Sequence, residues 1–274
     1  MFRRALITAT AATAATVLAA CGEEGGEATE TDGTVTIAAT PVPHAQILEY
    51  VADDLADEAG LTIEIEEFTD YVQPNLATDD GAVDANFFQH VPYLEQFNAE
   101  NGTDLVPVAP VHIEPLGLYS DQVASTDEFS EGAQIAIPSD ATNGGRALAL
   151  LAEAGLIELA EGVDATTAAE GDVTGNPLDL EFVPVEAAQL PRTLEDVEAA
   201  VINGNYALEA DLSPADDALA SESAEGNPYA NFLVVNGADA ENDDIRALAE
   251  LLQSDEVRDH IARTWPDGSI VPAV

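Results

Sequence analysis

Phe68-Thr-Asp-Tyr-Val-Gln-Pro-Asn75, a short acidic turn, and Asp84-Ala-Asn-Phe-Phe-Gln-His-Val-Pro-Tyr93 make the most informative stretch of this 274-residue chain. Tyr71, Phe87, Phe88, His90 and Tyr93 concentrate rings there, in a sequence that is only 5% aromatic. Rings bring large contact area with few torsions to freeze and a polar group at the edge, so such a cluster can wall a pocket for a small, partly apolar ligand. The same residues read equally well as an ordinary core corner.

Outward from that stretch, short apolar or alternating runs predict strands at Val35 to Ala39, Leu61 to Phe68, Leu105 to Val111, Leu116 to Tyr119, Gln134 to Ile137, Leu180 to Val185, Ala199 to Ile202 and Ala230 to Val235. Helical spacing lies between them. His44 to Ala59 puts Ile47, Leu48, Val51 and Leu55 on one face and stops at Gly60, a second helix runs from Thr142 to Gly155, and a third spans about Asn242 to Thr264. Strands alternating with helices predict an α/β protein with largely parallel sheets. Extended connections at Pro110 to Ser120 and at Asn227-Pro228-Tyr229 are places where the chain can cross between two lobes.

The first twenty residues read as a secretory signal: Arg3 and Arg4 are followed by an uncharged run from Ala5, and Leu18-Ala19-Ala20 precedes Cys21 as a lipobox does. The run is too short and too weakly apolar for a membrane span. Cys21 is therefore the expected lipidation site, with more than one acyl chain giving stable anchoring. As the only cysteine, it leaves no disulfide, zinc knuckle or thiol nucleophile for the folded body. Residues 21–33 have nothing to bury and read as a flexible tether.

The charge is extreme: 53 acidic residues stand against seven arginines and no lysine, a formal net charge of −46. Nucleic acid is excluded as a partner, since phosphate binding needs clustered basic residues. The 46% hydrophobic content in periodic segments argues for a folded core under an acidic surface rather than disorder. Such a surface suits a salt-adapted host, because molar salt screens its self-repulsion.

Arg146 is the second anchor. It follows Pro138-Ser-Asp-Ala-Thr-Asn-Gly-Gly, where a strand end, a polar turn and a helix opening bring backbone NH groups and the positive helix end together. A guanidinium at that point suits a carboxylate, which its planar fork can pair on both oxygens. The competing reading is a pairing with one of the many surface acids. Ala200-Val-Ile-Asn203-Gly-Asn205-Tyr206 and Pro228-Tyr-Ala-Asn231 end apolar strands in side-chain amides, placed to accept from an ammonium group at the sheet edge where ligands sit in open α/β folds; turn capping is the alternative. His44, His90, His112 and His260 show no metal-ligand spacing, and no nucleophile elbow or phosphate loop occurs. His112 and Glu114 read as structural. The sequence therefore points to no metal, no cofactor and no catalytic residue.

With these segments in hand, the chain resembles the NlpA-type lipoproteins, the methionine-binding proteins of methionine ABC importers. The resemblance runs through the two stretches above, His112-Ile-Glu-Pro-Leu-Gly-Leu-Tyr-Ser120, Ala136-Ile-Pro-Ser-Asp-Ala-Thr-Asn-Gly-Gly-Arg-Ala-Leu148, Glu186-Ala-Ala-Gln-Leu-Pro-Arg192, Ala200-Val-Ile-Asn203 and Gln253-Ser-Asp-Glu-Val257. It implies a two-lobed α/β fold of the type II periplasmic-binding-protein kind, with the ligand in the interlobe cleft. On that frame we expect a signal peptide at 1–20, a lipidated tether at 21–33, a first lobe from 34–113 plus 237–274, and a second lobe from 114–236.

The resemblance also implies roles. Arg146 would hold the ligand carboxylate, Asn203 and Asn231 its polar head group, and Tyr71, Phe88, His90 and Tyr93 the thioether side chain, with sulfur against ring edges contributing roughly 0.3 to 1.5 kcal/mol. Rings would come from the first lobe and polar anchors from the second, with no carboxylate among the contacts. The chain departs from the commoner pattern in lacking lysine and in Val91, where a basic residue is more usual. The expected function is a monomeric, membrane-anchored receptor that passes L-methionine to an ABC permease and its ATPase subunit, and not an enzyme. Other small amino acids or Met-containing dipeptides are alternative ligands, and an enzyme using His90 or Glu114, or an adhesin, are the readings from other classes.

Overall fold

Ile63 and Ile65 alternate with Glu64, Glu66 and Glu67, so one side of the strand Thr62–Glu67 packs on the core while the acids face solvent. Carboxylates along a sheet margin also discourage pairing with another chain. This strand is one edge of a six-stranded sheet in the computed structural model, which describes residues 33–273. The signal segment, Cys21 and residues 21–32 of the tether lie outside the described residues.

From its other edge the first sheet runs Val271–Pro272, Leu105–Ile113, Ala230–Asn236, Ala85–His90, Thr34–Ala39, Thr62–Glu67. A second sheet of five strands runs Ala220–Ser221, Gly117–Tyr119, Ala199–Ile202, Gln134–Pro138, Glu181–Val185. Each has its own apolar core: Ile37, Leu48, Phe87, Leu233 and Ile261 in the first, Leu118, Ile135, Leu148, Leu151 and Val201 in the second. The chain passes from one sheet to the other at 114–116 and returns between Ser221 and Ala230.

That return corrects the expected lobe boundary. Ala230–Asn236 pairs antiparallel with both Ala85–His90 and Leu105–Ile113, so residues 230–236 belong with the first sheet and not with the second. The sheets are also mixed rather than largely parallel. Thr34–Ala39 is parallel to its two neighbours, whereas the crossing strands pair antiparallel.

Two expected helices are each broken in two. The first is Gln46–Asp54 and Ala56–Ala59, interrupted at Leu55 and closed by Gly60 at φ 74°, a left-handed conformation that favours glycine. The last is Asp243–Leu252 and Asp255–Thr264, because Ser254 leaves the helical conformation and its side chain accepts from the Val257 amide as a new N-cap. The strand Ala85–His90, which no polar alternation marks in the sequence, is central to the first sheet and buried throughout. Glu158–Leu159 and Val173–Gly175 form a further short antiparallel pair. Among the described residues no helix is long and apolar enough to cross a membrane.

Candidate ligand-binding cleft

The amides of the opening motif pair with one another inside the wall, and of the three only Gln89 also reaches the chamber. Asn75, Asn86 and Gln89 are buried and hydrogen-bond one another: Asn75 Nδ2 donates to Gln89 Oε1 at 3.0 Å, and Gln89 Nε2 to Asn86 Oδ1 at 2.7 Å. Asn86 Nδ2 also donates to Thr78 Oγ1 at 2.8 Å. The network ties the helix Gln73–Asp79 to the strand Ala85–His90, and fully satisfied buried polar networks hold a single arrangement. Phe87 consequently enters the core while Phe88 joins Tyr71, Tyr93 and Phe97 in a separate ring cluster. Tyr71 stands 5.7 Å from both Phe88 and Tyr93 between centroids, within the favoured aromatic range.

His90 ends that strand and caps the helix Val91–Asn101. Its Nδ1 accepts from the Tyr93 amide at 3.2 Å, so its Nε2 carries the proton and donates to Asn143 Oδ1 at 3.0 Å. Burial, then the Arg146 charge, lowers its pKa to about 3. The ring is neutral at pH 7.

Arg146 lies in the helix Ala141–Glu153, 3% exposed, and is the only buried arginine among the described residues. Gly144 and Gly145 permit this seat. A Cβ on the first would lie 2.9 Å from the Pro138 carbonyl oxygen, and one on the second 2.6 Å from that of Ala165. The two glycines therefore let the helix lie close against the protein's own backbone. Arg146 Nε donates to Glu222 Oε1 at 2.7 Å and Nη2 to Glu222 Oε2 at 2.5 Å, while Nη2 also reaches the Glu114 carbonyl at 2.9 Å. Its Cζ sits 4.1 Å from the centroid of the Tyr229 ring, a cation–π distance. Burial pushes the Glu222 pKa up, but the guanidinium outweighs this and holds it below the usual carboxylate range.

Two expectations thus need correction. Arg146 does take an acid of its own, but a largely buried one on the segment between the sheets; the pairing positions the fork instead of exposing it to water. The helix amides are committed as well: Thr142 N donates to Gln96 Oε1 at 3.1 Å and Asn143 N to Asp140 Oδ1 at 2.9 Å. The positive helix end is answered by the Asp140 cap.

Tyr71, Phe88, His90, Tyr93, Arg146, Asn203 and Asn231 all line one chamber between the two sheets, joined by Gln89, Glu114, Asn143 and Gly204. The division of labour differs from expectation, since Asn231 lies on a strand of the first sheet, in register with His90 on one side and His112 on the other. Asn203 Nδ2 donates to Asn143 Oδ1 at 3.2 Å. Tyr71 OH donates to Asn205 Oδ1 at 2.5 Å and Tyr206 OH to the Thr69 carbonyl at 3.2 Å, so hydrogen bonds cross the cleft. The enclosed space is about 20 Å³, room for roughly one water. Tyr71 and Tyr93 separate it from an outer groove of about 600 Å³ whose rim carries Asp70, Glu100, Asp140 and Glu186.

A carboxylate does stand in the chamber wall, contrary to expectation. Glu114 is 6% exposed; its Oε1 lies 2.8 Å from His112 Nε2 and 3.1 Å from His44 Nε2. These three ligand-type atoms lie within 4.8 Å of one another, a combination of two imidazoles and a carboxylate that suits a divalent cation and that sequence spacing did not reveal. His112-x-Glu114 carried a usable signal, since alternate residues of an extended segment share a face. His44, seventy residues away, carried none, and neither did Glu222, one acid among 53.

Two α/β lobes, each with its own sheet, joined by crossing segments and enclosing a ring-walled chamber with a buried guanidinium, define the two-lobed periplasmic-binding-protein class. The sequence profile of the NlpA lipoproteins matches residues 35–274. The chain belongs to the NlpA lipoprotein family. It is 40% identical to the methionine-binding lipoprotein MetQ of Bacillus subtilis over 93% of both chains, and 39% identical to the D-methionine-binding lipoprotein MetQ of Escherichia coli K12 over 82% of this chain and 83% of that one. Its fold matches a nutrient-binding protein from Burkholderia cenocepacia bound to methionine with a TM-score of 0.83, at 38% identity, over 88% of this chain and all of the other.

Proposed function

We propose that this protein is an extracytoplasmic receptor, lipid-anchored at Cys21, that captures methionine in the interlobe chamber and delivers it as a monomer to an ABC permease and its ATPase subunit. The observation that carries this reading is the convergence of ring wall, guanidinium and two amides on one small chamber, in a chain whose relatives include a protein bound to methionine. Nothing in the reading calls for bond making or breaking. Arg146 receives the ligand carboxylate on the side of its fork away from Glu222, Asn203 and Asn231 take the head group, and Tyr71, Phe88, His90 and Tyr93 enclose the thioether.

The chamber as it stands is smaller than the ligand. Methionine therefore reaches it when the hydrogen bonds of Tyr71 to Asn205 and His90 to Asn143 part, and the lobes then close on it with the chamber wall moved outward. Hinge closure of two lobes on a ligand is an established mode of motion. Arg146 and Asn203 stand on the second lobe and Asn231 on the first, so a ligand that reaches all three is needed to draw the lobes together.

Titration calorimetry in molar NaCl tests the proposal. Wild type should bind methionine stoichiometrically and without turnover. Arg146→Ala and Asn231→Ala should each weaken binding about tenfold to a hundredfold, the usual cost of losing a charged or buried hydrogen bond. Unchanged affinity in both would refute the head-group assignment. Titrating both enantiomers, other small amino acids and Met-containing dipeptides in the same series ranks the alternative ligands.

A further inference from the structure

The ring-walled end of the chamber offers a ligand more than apolar contact. Tyr71, Phe88 and Tyr93 stand at the corners of a triangle, with centroids 5.7, 5.7 and 6.1 Å apart and planes inclined to one another by 33°, 68° and 77°. Both hydroxyls are already donated, that of Tyr71 to Asn205 Oδ1 at 2.5 Å and that of Tyr93 to the Tyr71 carbonyl at 3.0 Å. Ring faces are what remain for the far end of a ligand side chain. Such faces carry the negative part of the ring quadrupole, and a cation within about 6 Å of a centroid is attracted to them. His90 beside them adds no repulsion, because burial and then the Arg146 charge lower its pKa to about 3 and leave it neutral at pH 7.

Behind the rings the field has a single sign. Tyr71 and Tyr93 also line the outer groove of about 600 Å³, which is lined by Asp70, Glu100, Asp140 and Glu186 and by no basic residue. After burial, these four carboxylates, Asp140 first, raise the Tyr93 pKa, so they act on the ring wall from the groove side. The cation of the chamber, Arg146, is held bidentate by Glu222. A positive charge among the three rings would thus have π faces around it and carboxylates beyond them. An alkylammonium would waste its N–H groups there, since ring faces do not replace the acceptors that water offers and a buried donor without a partner is costly. A methylated cation has no N–H to satisfy, and aromatic cages are the usual receptors for such groups.

We propose that the chamber also takes sulfonium amino acids, methionine derivatives alkylated at sulfur and so fixed in the cationic state, with the sulfonium among Tyr71, Phe88 and Tyr93 and its added alkyl group directed toward the acidic groove. This rests on the amino-acid reading above and deepens it by adding a class of side chain. The rings supply most of the preference. The groove carboxylates add a smaller part, since molar salt screens exposed charges over roughly 3 Å whereas the buried ring contacts are screened much less.

The test is calorimetry on the mature protein in molar NaCl with L-methionine, S-methyl-L-methionine, and L-homoleucine, in which a CH group replaces the sulfonium and the shape is kept. Wild type should bind S-methyl-L-methionine about threefold to thirtyfold more tightly than homoleucine, the range expected of a cation on ring faces, and L-lysine more weakly than S-methyl-L-methionine. Phe88→Leu, which keeps an apolar side chain without a π face, should shrink the sulfonium-to-homoleucine ratio while leaving homoleucine nearly unchanged. Glu100→Gln combined with Glu186→Gln, both exposed, should shrink it less. Equal affinity of wild type for the sulfonium and homoleucine would overturn the proposal, as would lysine binding as tightly as the sulfonium, or a ratio that survives Phe88→Leu intact. If methionine itself fails to bind, the amino-acid reading falls and this proposal with it; if methionine binds and the sulfonium gains nothing over homoleucine, this proposal alone falls.

Discussion

Arg146 and Glu222 show how a rare residue and a common one differ in legibility. With five arginines after the signal and no lysine, a basic residue beside two glycines attracts attention, and it does occupy the chamber wall. Its partner was invisible among 53 acids, and so was the place of Glu114 in the chamber wall, because a carboxylate in such a chain carries almost no information until its neighbours are known. The ring cluster was legible for the opposite reason, as aromatic residues are scarce. Glu222→Ala should destabilise the fold by about 3 kcal/mol, since it strands a buried guanidinium; a denaturant titration measures this. Tyr71→Ala and Phe88→Ala should weaken methionine by a larger factor than alanine, because the lost contacts lie along the ligand side chain. Equal losses for the two ligands would make those rings structural.

At the scale of elements, the sequence indicated strands where one face is polar and lost them where both are covered. Thr62–Glu67 alternates and was read correctly. Ala85–His90 is buried on every residue, so it has no alternation to detect, and its Asn86 and Gln89 look like loop residues until their network is seen. Helix existence was legible from apolar spacing, but the break at Ser254 was not, since capping depends on local backbone geometry. Ser254→Ala should cost about 1 kcal/mol, read as a lowered melting temperature with unchanged methionine affinity. Gly145→Ala should do more. Its Cβ would press on the Ala165 carbonyl and shift the helix that carries Arg146, costing about 1 to 3 kcal/mol and weakening methionine as well.

For the whole molecule, two solution variables follow from charge. Buried His44, His90 and His112 titrate near 4, 3 and 3 in the folded chain against about 6.5 when unfolded. The unfolded state therefore binds more protons below pH 6.5, and stability falls as pH drops from there toward 4, by up to about 1.4 kcal/mol per pH unit for each histidine. Glu114 acts in the opposite sense, because burial raises its pKa and the folded state takes its proton first. Denaturant titrations between pH 7 and pH 4.5 in molar salt should show the net loss, reduced in a variant with His112→Gln. Salt should act independently: raising NaCl from about 0.1 M to 1 M shortens the screening length from roughly 10 Å to 3 Å, so the melting temperature of this −46 chain should rise, and a flat response would argue against salt adaptation.

On the proposed function, methionine lies between the lobes with its carboxylate on Arg146 and its thioether against the rings. A crystal structure of the mature protein grown with L-methionine tests it most directly. The ligand should lie in the chamber of Tyr71, Phe88, His90, Tyr93, Asn203 and Asn231, its carboxylate within hydrogen-bond distance of the guanidinium. A ligand seated in the outer acidic groove, or one in the chamber with its carboxylate turned away from Arg146, would contradict it.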